Sequence, residues 1–183
     1  MDDKVNFGSK KVTRDEKPEL VSKIFSSVSN KYDLMNDLMS GGLHRLWKSV
    51  LLDRLNPRAG ELLLDVAGGT GDIADGYLKR GGNTAIICDI NPDMLAAGEN
   101  RSLDRGNLGG AIRVCGDAAA LPIPGGIADA CTIVFGLRNV TQRKVALSEL
   151  HRTLKPGGHF ICMEFSPVSY THLRAHETGR NLV

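Results

Sequence analysis

The sequence has no hydrophobic run close to the roughly 20 residues that a membrane-spanning helix requires. Its polar N-terminal segment carries no secretory signal. It also lacks an excess of one charge, because 23 lysines and arginines face 21 aspartates and glutamates for a net charge of +2. Such a balance argues against nucleic acid as a partner. We therefore expect a cytoplasmic protein without a membrane span.

Close cysteine pairs are absent as well. The four cysteines lie singly, in or at the end of apolar runs, at Cys88, Cys115, Cys131 and Cys162. No CxxC pair of the kind that binds zinc or cycles between thiol and disulfide is present, so we predict no metal site. Buried thiols in a reducing compartment are the simpler interpretation.

The length of 183 residues suits one domain with short appendages. Residues 1–17 carry many charges without periodicity and are predicted to be a flexible tail. Residues 18–56 have apolar positions at helical spacing and predict a helical cap. Residues 57–167 form the predicted α/β core, and residues 168–183 form a polar tail of doubtful origin.

The core alternates short apolar runs with helical stretches. The runs predict strands at Leu62–Val66, Thr84–Cys88, Ala111–Cys115, Cys131–Phe135 and His159–Met163. Helices are predicted at Asp72–Lys79, Pro92–Arg105 and Gln142–Leu154. This alternation indicates a doubly wound, mainly parallel sheet of the Rossmann-like type with helices on both faces.

A glycine-rich turn follows the first predicted strand. Asp65 lies near the end of that strand, and Gly69, Thr70 and Gly71 lead into the next helix. Glycines let a ligand approach the backbone closely, and a helix N-terminus offers unpaired N–H groups. Ligands bind at the carboxyl ends of strands in such sheets, so we expect these four residues to contact one.

Two ligand classes fit this turn, because Gly69–Ala74 also matches the dinucleotide pattern GxGxxA. A nicotinamide-dependent oxidoreductase is therefore an alternative. However, Asp65 and Asp72 place negative charges where a diphosphate would lie. They suit a cationic ligand with an amino group, such as S-adenosylmethionine.

Two further acids follow the next strands. Asp89 ends the second strand, where a carboxylate accepts hydrogen bonds from ribose hydroxyls. Asp117 follows the third strand, where it would accept the adenine amino hydrogens while the Ala118 amide donates to a ring nitrogen. The alternative is that Asp89 and Asp117 only cap turns or helices.

Longer segments then resemble one family. Tyr32–Trp47, Phe135–Thr141 and Arg152–Ser166 are similar to signatures of the menaquinone/ubiquinone-biosynthesis C-methyltransferases, which are class I S-adenosylmethionine-dependent enzymes. The resemblance implies methylation of a ring carbon of a polyprenylated quinol, either demethylmenaquinol or a 2-methoxy-6-polyprenyl-1,4-benzoquinol. Such a substrate implies transient, peripheral contact with the inner face of a membrane.

The resemblance also implies site residues. The cofactor contacts it implies are Thr70, Asp89, Asp117 and Ala118, with Val134 in place of the small residue that relatives have before Phe-Gly.

Carbon methylation needs an electron-rich ring carbon, which a quinol supplies best as a phenolate. Arg138 follows the fourth strand and is the first candidate to offset the phenolate charge, with Asn139 as a hydrogen-bond donor to a quinol oxygen. Tyr32 and His44 are predicted to close the pocket, with His44 as a proton acceptor. Packing roles for Tyr32 and His44, and a surface salt bridge for Arg138, are the alternatives.

The C-terminal segment departs from the family pattern. Class I methyltransferases normally have seven strands, and residues 168–183 predict no strand pair. The fifth strand would then be an uncovered edge, which favours self-association as a homodimer. An inactive, truncated cofactor-binding fragment is the competing hypothesis.

Overall fold

The computed structural model describes residues 4–7, 10–13, 42–104 and 109–164. Two strands come first, β1 (Lys4–Phe7) and β2 (Lys10–Thr13). The following elements are α1 (Leu43–Leu55), β3 (Leu62–Val66), α2 (Asp72–Lys79), β4 (Thr84–Asp89), α3 (Pro92–Asp104) and β5 (Ala111–Cys115). The last are β6 (Ala128–Val134), a short 3-10 helix (Leu137–Asn139), α4 (Arg143–Thr153) and β7 (Leu154–Met163).

The core is a five-stranded parallel sheet in the order β5-β4-β3-β6-β7. Consecutive residues of β3 show why its sequence has no polar alternation. Leu64 packs in a cluster with Leu150 of α4, whereas Leu63 packs with Leu51 of α1 and Tyr77 of α2 on the other face. Helices therefore cover both faces, which confirms the predicted Rossmann-like fold class.

The last strand is longer than predicted. It begins at Leu154 instead of His159, and it includes the Pro156-Gly157 pair. A register shift opposite Ala128 and Ala130 absorbs the extra residues, and Gly157 has a φ of +82°. A bulge of this kind lets a strand accommodate proline and glycine.

The N-terminal residues also differ from the prediction. β1 and β2 pair as antiparallel strands where a tail without regular structure was expected. Helix α1 begins after Gly42, whose φ of +80° suits glycine, and it is the part of the predicted helical cap that the structure describes. Tyr32, the rest of the cap and the 168–183 segment lie outside the described residues.

The strand order places a switch point at the centre of the sheet. From β3 the chain continues to one side through β4 and β5, whereas from β6 it continues to the other side through β7. Adjacent connections therefore diverge at the carboxyl ends of β3 and β6 and leave a crevice there. None of the helices in the described ranges is long and apolar enough to span a bilayer.

Candidate functional site

The crevice at the switch point is lined from three sides. The turn after β3 and the start of α2 form its floor, and Val134 and Phe135 at the end of β6 form one wall. Lys48 of α1 also lines the crevice. Helix α1 also reaches the end of β6 through an edge-to-face contact of Trp47 with Phe135, whose ring centroids are 6.3 Å apart.

The turn after β3 is tightly constrained. A Cβ at Gly68 would lie 2.7 Å from Asp65 Oδ2, and one at Gly136 would lie 2.6 Å from the Ala67 Cβ. Ala67 and Phe135 have φ values of +54° and +56°, which are unfavourable for residues with a side chain. Backbone strain of this kind concentrates at functional sites.

Asp65 lies beneath this turn and is 1% exposed. Its Oδ1 accepts a hydrogen bond of 2.7 Å from the Thr132 hydroxyl on β6. Burial raises the pKa of Asp65 to about 7, although the hydrogen bond from Thr132 and the charge of Lys48 lower it in part. A cation that enters the crevice would therefore stabilise the ionised carboxylate.

Asp89 and Asp117 lie at the same edge of the sheet, after β4 and β5. Asp89 accepts hydrogen bonds from the backbone N–H groups of Gly69 (2.8 Å) and Asn91 (2.9 Å), and burial raises its pKa. The exposed Asp117 accepts one from the Ala119 N–H at 2.8 Å, beside the buried Ala118. Both acids thus act as turn caps, and their contacts with ribose and adenine stay predictions.

Asp72 does not have the role that the sequence suggested. Its carboxylate pairs with Lys48 Nζ at 2.7 Å and with Arg101 Nη2 at 2.6 Å. Burial alone would raise the pKa of Asp72, but these two cations outweigh burial and lower it to about 2. Its charge is therefore compensated within the protein, so only Asp65 still argues against a diphosphate at this turn.

The predicted catalytic residues that the structure describes lie outside the lining of the crevice. Arg138 and Asn139 lie in the 3-10 helix after β6, and the Arg138 guanidinium pairs with Glu164 at the end of β7. The Arg138 backbone N–H donates to the same carboxylate at 3.0 Å. His44 is buried on α1, as its packing alternative requires. Among the described residues that line the crevice, His44, Arg138 and Asn139 are not found.

Three contributors were missed by sequence reasoning. The Asp72 carboxylate contacts Lys48, and the Asp65 carboxyl contacts Thr132. The Arg138 guanidinium contacts Glu164. Their one sequence signal is position, since Thr132 and Glu164 lie in or directly after predicted strands. The structure therefore assigns their partners, which the sequence does not.

The sequence of the chain matches one known protein family over most of its length. A model of the ubiE/COQ5 methyltransferase family matches residues 10–177. The chain belongs to this family. The match covers parts of both segments that were set apart as tails, and it favours the methyltransferase over the oxidoreductase alternative.

Two relatives illustrate the family. The ubiquinone/menaquinone biosynthesis C-methyltransferase of Rhodopseudomonas palustris is 50% identical over 169 residues, which are 89% of this chain and 66% of the relative. The mitochondrial 2-methoxy-6-polyprenyl-1,4-benzoquinol methylase of Oryza sativa is 48% identical over 182 residues, covering 89% of this chain and 62% of the relative. The chain thus spans about two thirds of the length of the curated relatives it matches.

Solved structures share the fold. One is from Methanococcus maripaludis and is proposed to be an S-adenosyl-L-methionine-dependent methyltransferase. Its TM-score is 0.63 at 18% identity, over 86% of this chain and 67% of that one. The geranyl diphosphate C-methyltransferase of Streptomyces coelicolor, solved with S-adenosyl-L-homocysteine, has a TM-score of 0.61 at 19% identity, over 66% of this chain and 45% of that one. At these identities the likeness shows the fold alone.

Proposed function

We propose that this chain uses S-adenosylmethionine to methylate a ring carbon of a polyprenylated quinol, either demethylmenaquinol or 2-methoxy-6-polyprenyl-1,4-benzoquinol. The family match over residues 10–177 is the observation that carries this proposal. The names of the relatives from Rhodopseudomonas palustris and Oryza sativa support the two quinols. Because the chain spans about two thirds of those relatives, its own activity needs a direct test.

The crevice fits a cationic methyl donor. Its floor holds the buried Asp65 carboxyl, which gains a charge partner when an ammonium or sulfonium is close. Gly68 and Gly69 bring the backbone to the ligand without side chains, and Asp89 holds that turn through the Gly69 N–H. A diphosphate would instead place its charge beside the Asp65 carboxyl, with Lys48 as the one cationic side chain among the described lining residues.

When bound, S-adenosylmethionine supplies an electrophilic methyl group on a positively charged sulfur. The protein must hold the acceptor carbon in line with that group and favour the phenolate form of the quinol. We assign the second task to Arg138, because its guanidinium keeps its charge in proteins. Glu164 positions Arg138 by accepting hydrogen bonds from both its side chain and its backbone N–H. Transfer would form the new carbon–carbon bond as the bond from sulfur to methyl breaks, leaving S-adenosylhomocysteine, and the hydrogen of the ring carbon would leave as a proton to water, which restores the aromatic ring.

The substrate and the open sheet edge bear on membrane contact and on self-association. A polyprenylated quinol is held in a bilayer, so we propose peripheral contact with the cytoplasmic face of a membrane through helix α1. In the described sheet, β7 pairs with β6 on one side only, which supports the homodimer as a further proposal.

Ligand binding tests the cofactor assignment. Titration calorimetry of the whole chain with S-adenosylhomocysteine should show binding at one site, and NADH at the same concentration should show none. Binding of NADH but not of S-adenosylhomocysteine would overturn the proposal. Methyl transfer to a short-chain demethylmenaquinol, measured by mass spectrometry, then tests the reaction. Cofactor binding without methyl transfer would favour the inactive fragment.

The Arg138→Ala variant tests the role of the guanidinium. Turnover should fall by about 100-fold, the usual effect of losing one group that stabilises developing charge. Affinity for S-adenosylhomocysteine should not change, because Arg138 does not line the crevice floor. Lys144→Ala, at an exposed position of α4, is the matched control. Equal losses of turnover and affinity would reject this role for Arg138.

A further inference from the structure

We propose that Lys48, on helix α1, binds the carboxylate at the amino-acid end of the methyl donor. This inference rests on the proposed function and deepens it, because it makes the cap helix one wall of the cofactor site. Sequence reasoning placed the cofactor contacts entirely in the α/β core.

The charge pattern of the crevice supports this proposal. Lys48 is the one cationic side chain among the described residues that line the crevice. The buried Asp65 carboxyl lies in the same lining, and its pKa responds to the charge of Lys48. Asp72 lines the crevice as well, but it is already paired with Lys48 and Arg101. The buried Asp65 and the Lys48 ammonium are complementary to a zwitterionic amino acid, whose ammonium would face Asp65 and whose carboxylate would face Lys48.

Lys48 can accept this second partner without leaving Asp72 unpaired. Asp72 Oδ1 is held by Arg101 Nη2 at 2.6 Å, whereas Lys48 Nζ contacts the other oxygen, Oδ2, at 2.7 Å. Arg101 also donates to the Thr70 carbonyl at 3.0 Å and is thereby tied to the glycine turn. A lysine ammonium has three donors, so it can hold Asp72 and a ligand carboxylate together.

Helix α1 holds the Lys48 backbone firmly in place. Its residues Leu51, Leu52 and Leu55 are buried in the cluster that includes the α2 side chains. Trp47, the residue before Lys48, packs against Phe135, which also lines the crevice. The ammonium is therefore built into the folded crevice, and the ligand does not have to order the helix first.

The competing role for Lys48 is purely structural, as a link between α1 and α2 through Asp72. The two roles predict different responses to the ligand. A structural loss would weaken every ligand of the crevice alike. Loss of a carboxylate partner would weaken only those ligands that carry the carboxylate.

A ligand series with the Lys48→Gln variant separates the roles. S-adenosylhomocysteine carries both the amino group and the carboxylate, whereas its decarboxylated analogue keeps only the amino group. By titration calorimetry, Lys48→Gln should weaken binding of S-adenosylhomocysteine by roughly 10- to 100-fold, the range for a hydrogen bond between charged groups. It should not weaken binding of the decarboxylated analogue, which carries no carboxylate and is no longer repelled by the lysine, and retained binding also shows that the variant is folded.

Two further variants complete the test. Lys48→Arg should retain most of the affinity for S-adenosylhomocysteine, because it keeps the charge. Lys79→Gln removes an exposed lysine of α2 and should change neither affinity. Equal weakening of both ligands by Lys48→Gln, or no weakening of either, would overturn the inference. Absence of S-adenosylhomocysteine binding by the unaltered chain would instead contradict the proposed function itself.

Discussion

At the scale of single residues, Asp65 links the stability of the fold to its ligand chemistry. Its carboxyl is buried under the glycine turn with one hydroxyl partner, Thr132. An ionised carboxylate there has lost its water and gained little in return. A cationic ligand in the crevice would offset the free energy lost when this carboxylate is desolvated. Unfavourable local environments of this kind are found at ligand-binding sites.

This burial gives the unliganded chain a distinctive pH dependence. The pKa of Asp65 is raised from 3.8 to about 7, so the folded state binds the proton more tightly than the unfolded state. The protonated Asp65 therefore makes its full favourable contribution to the free energy of unfolding below pH 4. This contribution is lost as the pH rises to about 7. The loss amounts to at most about 4 kcal/mol.

The Asp65→Asn variant isolates this contribution, because the amide cannot ionise and still accepts from Thr132. In urea unfolding, the variant should gain stability relative to the unaltered protein between pH 4 and pH 7. The difference should then stay constant above that range. A difference that is independent of pH, or that grows in the opposite direction, would show that Asp65 is ionised at little cost. Glu99→Gln, at an exposed position of α3, is the control.

Residues of the site were predictable where their role is local and unpredictable where it depends on a partner. The Asp65 carboxylate and the glycine turn are adjacent in sequence, so their pattern indicates a ligand site directly. The pairs Lys48–Asp72 and Arg138–Glu164 join residues 24 and 26 positions apart on different elements. Such pairs form only when packing fixes the distance between elements, and the sequence does not encode that distance locally.

At the scale of elements, burial on both faces made the sheet predictable. β3 and β5 have the predicted bounds, and α2 does as well, because a glycine or a charged residue flanks at least one end of each apolar run or helical stretch. β7 starts earlier than predicted, because its bulge lets Pro156 and Gly157 stay within the strand. The β1–β2 pair was missed, since short charged strands have no apolar period.

The packing of α3 against the glycine turn depends on one helical glycine. A Cβ at Gly98 would collide with the Thr70 backbone carbonyl, which cannot move without displacing the turn. Alanine is intrinsically better in a helix by about 1 kcal/mol. We nevertheless expect Gly98→Ala to destabilise the protein by about 1–3 kcal/mol, because overpacking outweighs propensity. It should also weaken binding of S-adenosylhomocysteine.

Gly76 of α2 provides the matched control for Gly98. An added Cβ at this helical glycine would meet the Leu52 side chain, nearest at its Cδ1, and outside α2 its three nearest heavy atoms all belong to that side chain. Gly76→Ala should therefore destabilise the protein less than Gly98→Ala in urea unfolding, because a side-chain end can shift more easily than a backbone carbonyl. If both alanine variants behave alike, the collision with Thr70 does not determine the position of the glycine turn.

At the scale of the whole molecule, helix α1 faces two environments. One side closes the crevice and the core, while Leu43, Leu46 and Val50 are 45%, 60% and 47% exposed on the outside. Arg45 and Arg54 are also exposed on this helix. Apolar residues beside basic ones are typical of helices that lie on an anionic bilayer surface. The crevice wall would thus face the phase in which a prenylated quinol is dissolved.

Vesicle binding tests this orientation. The chain should bind vesicles that contain phosphatidylglycerol more tightly than vesicles of phosphatidylcholine, and added salt should weaken the difference. Leu46→Glu should reduce binding by about 5- to 30-fold, because it removes roughly 1–2 kcal/mol of apolar burial and adds a repelled charge. Leu147→Glu alters a 40% exposed leucine on α4 and should have little effect. Equal losses for the two variants would assign membrane contact to general surface hydrophobicity rather than to α1.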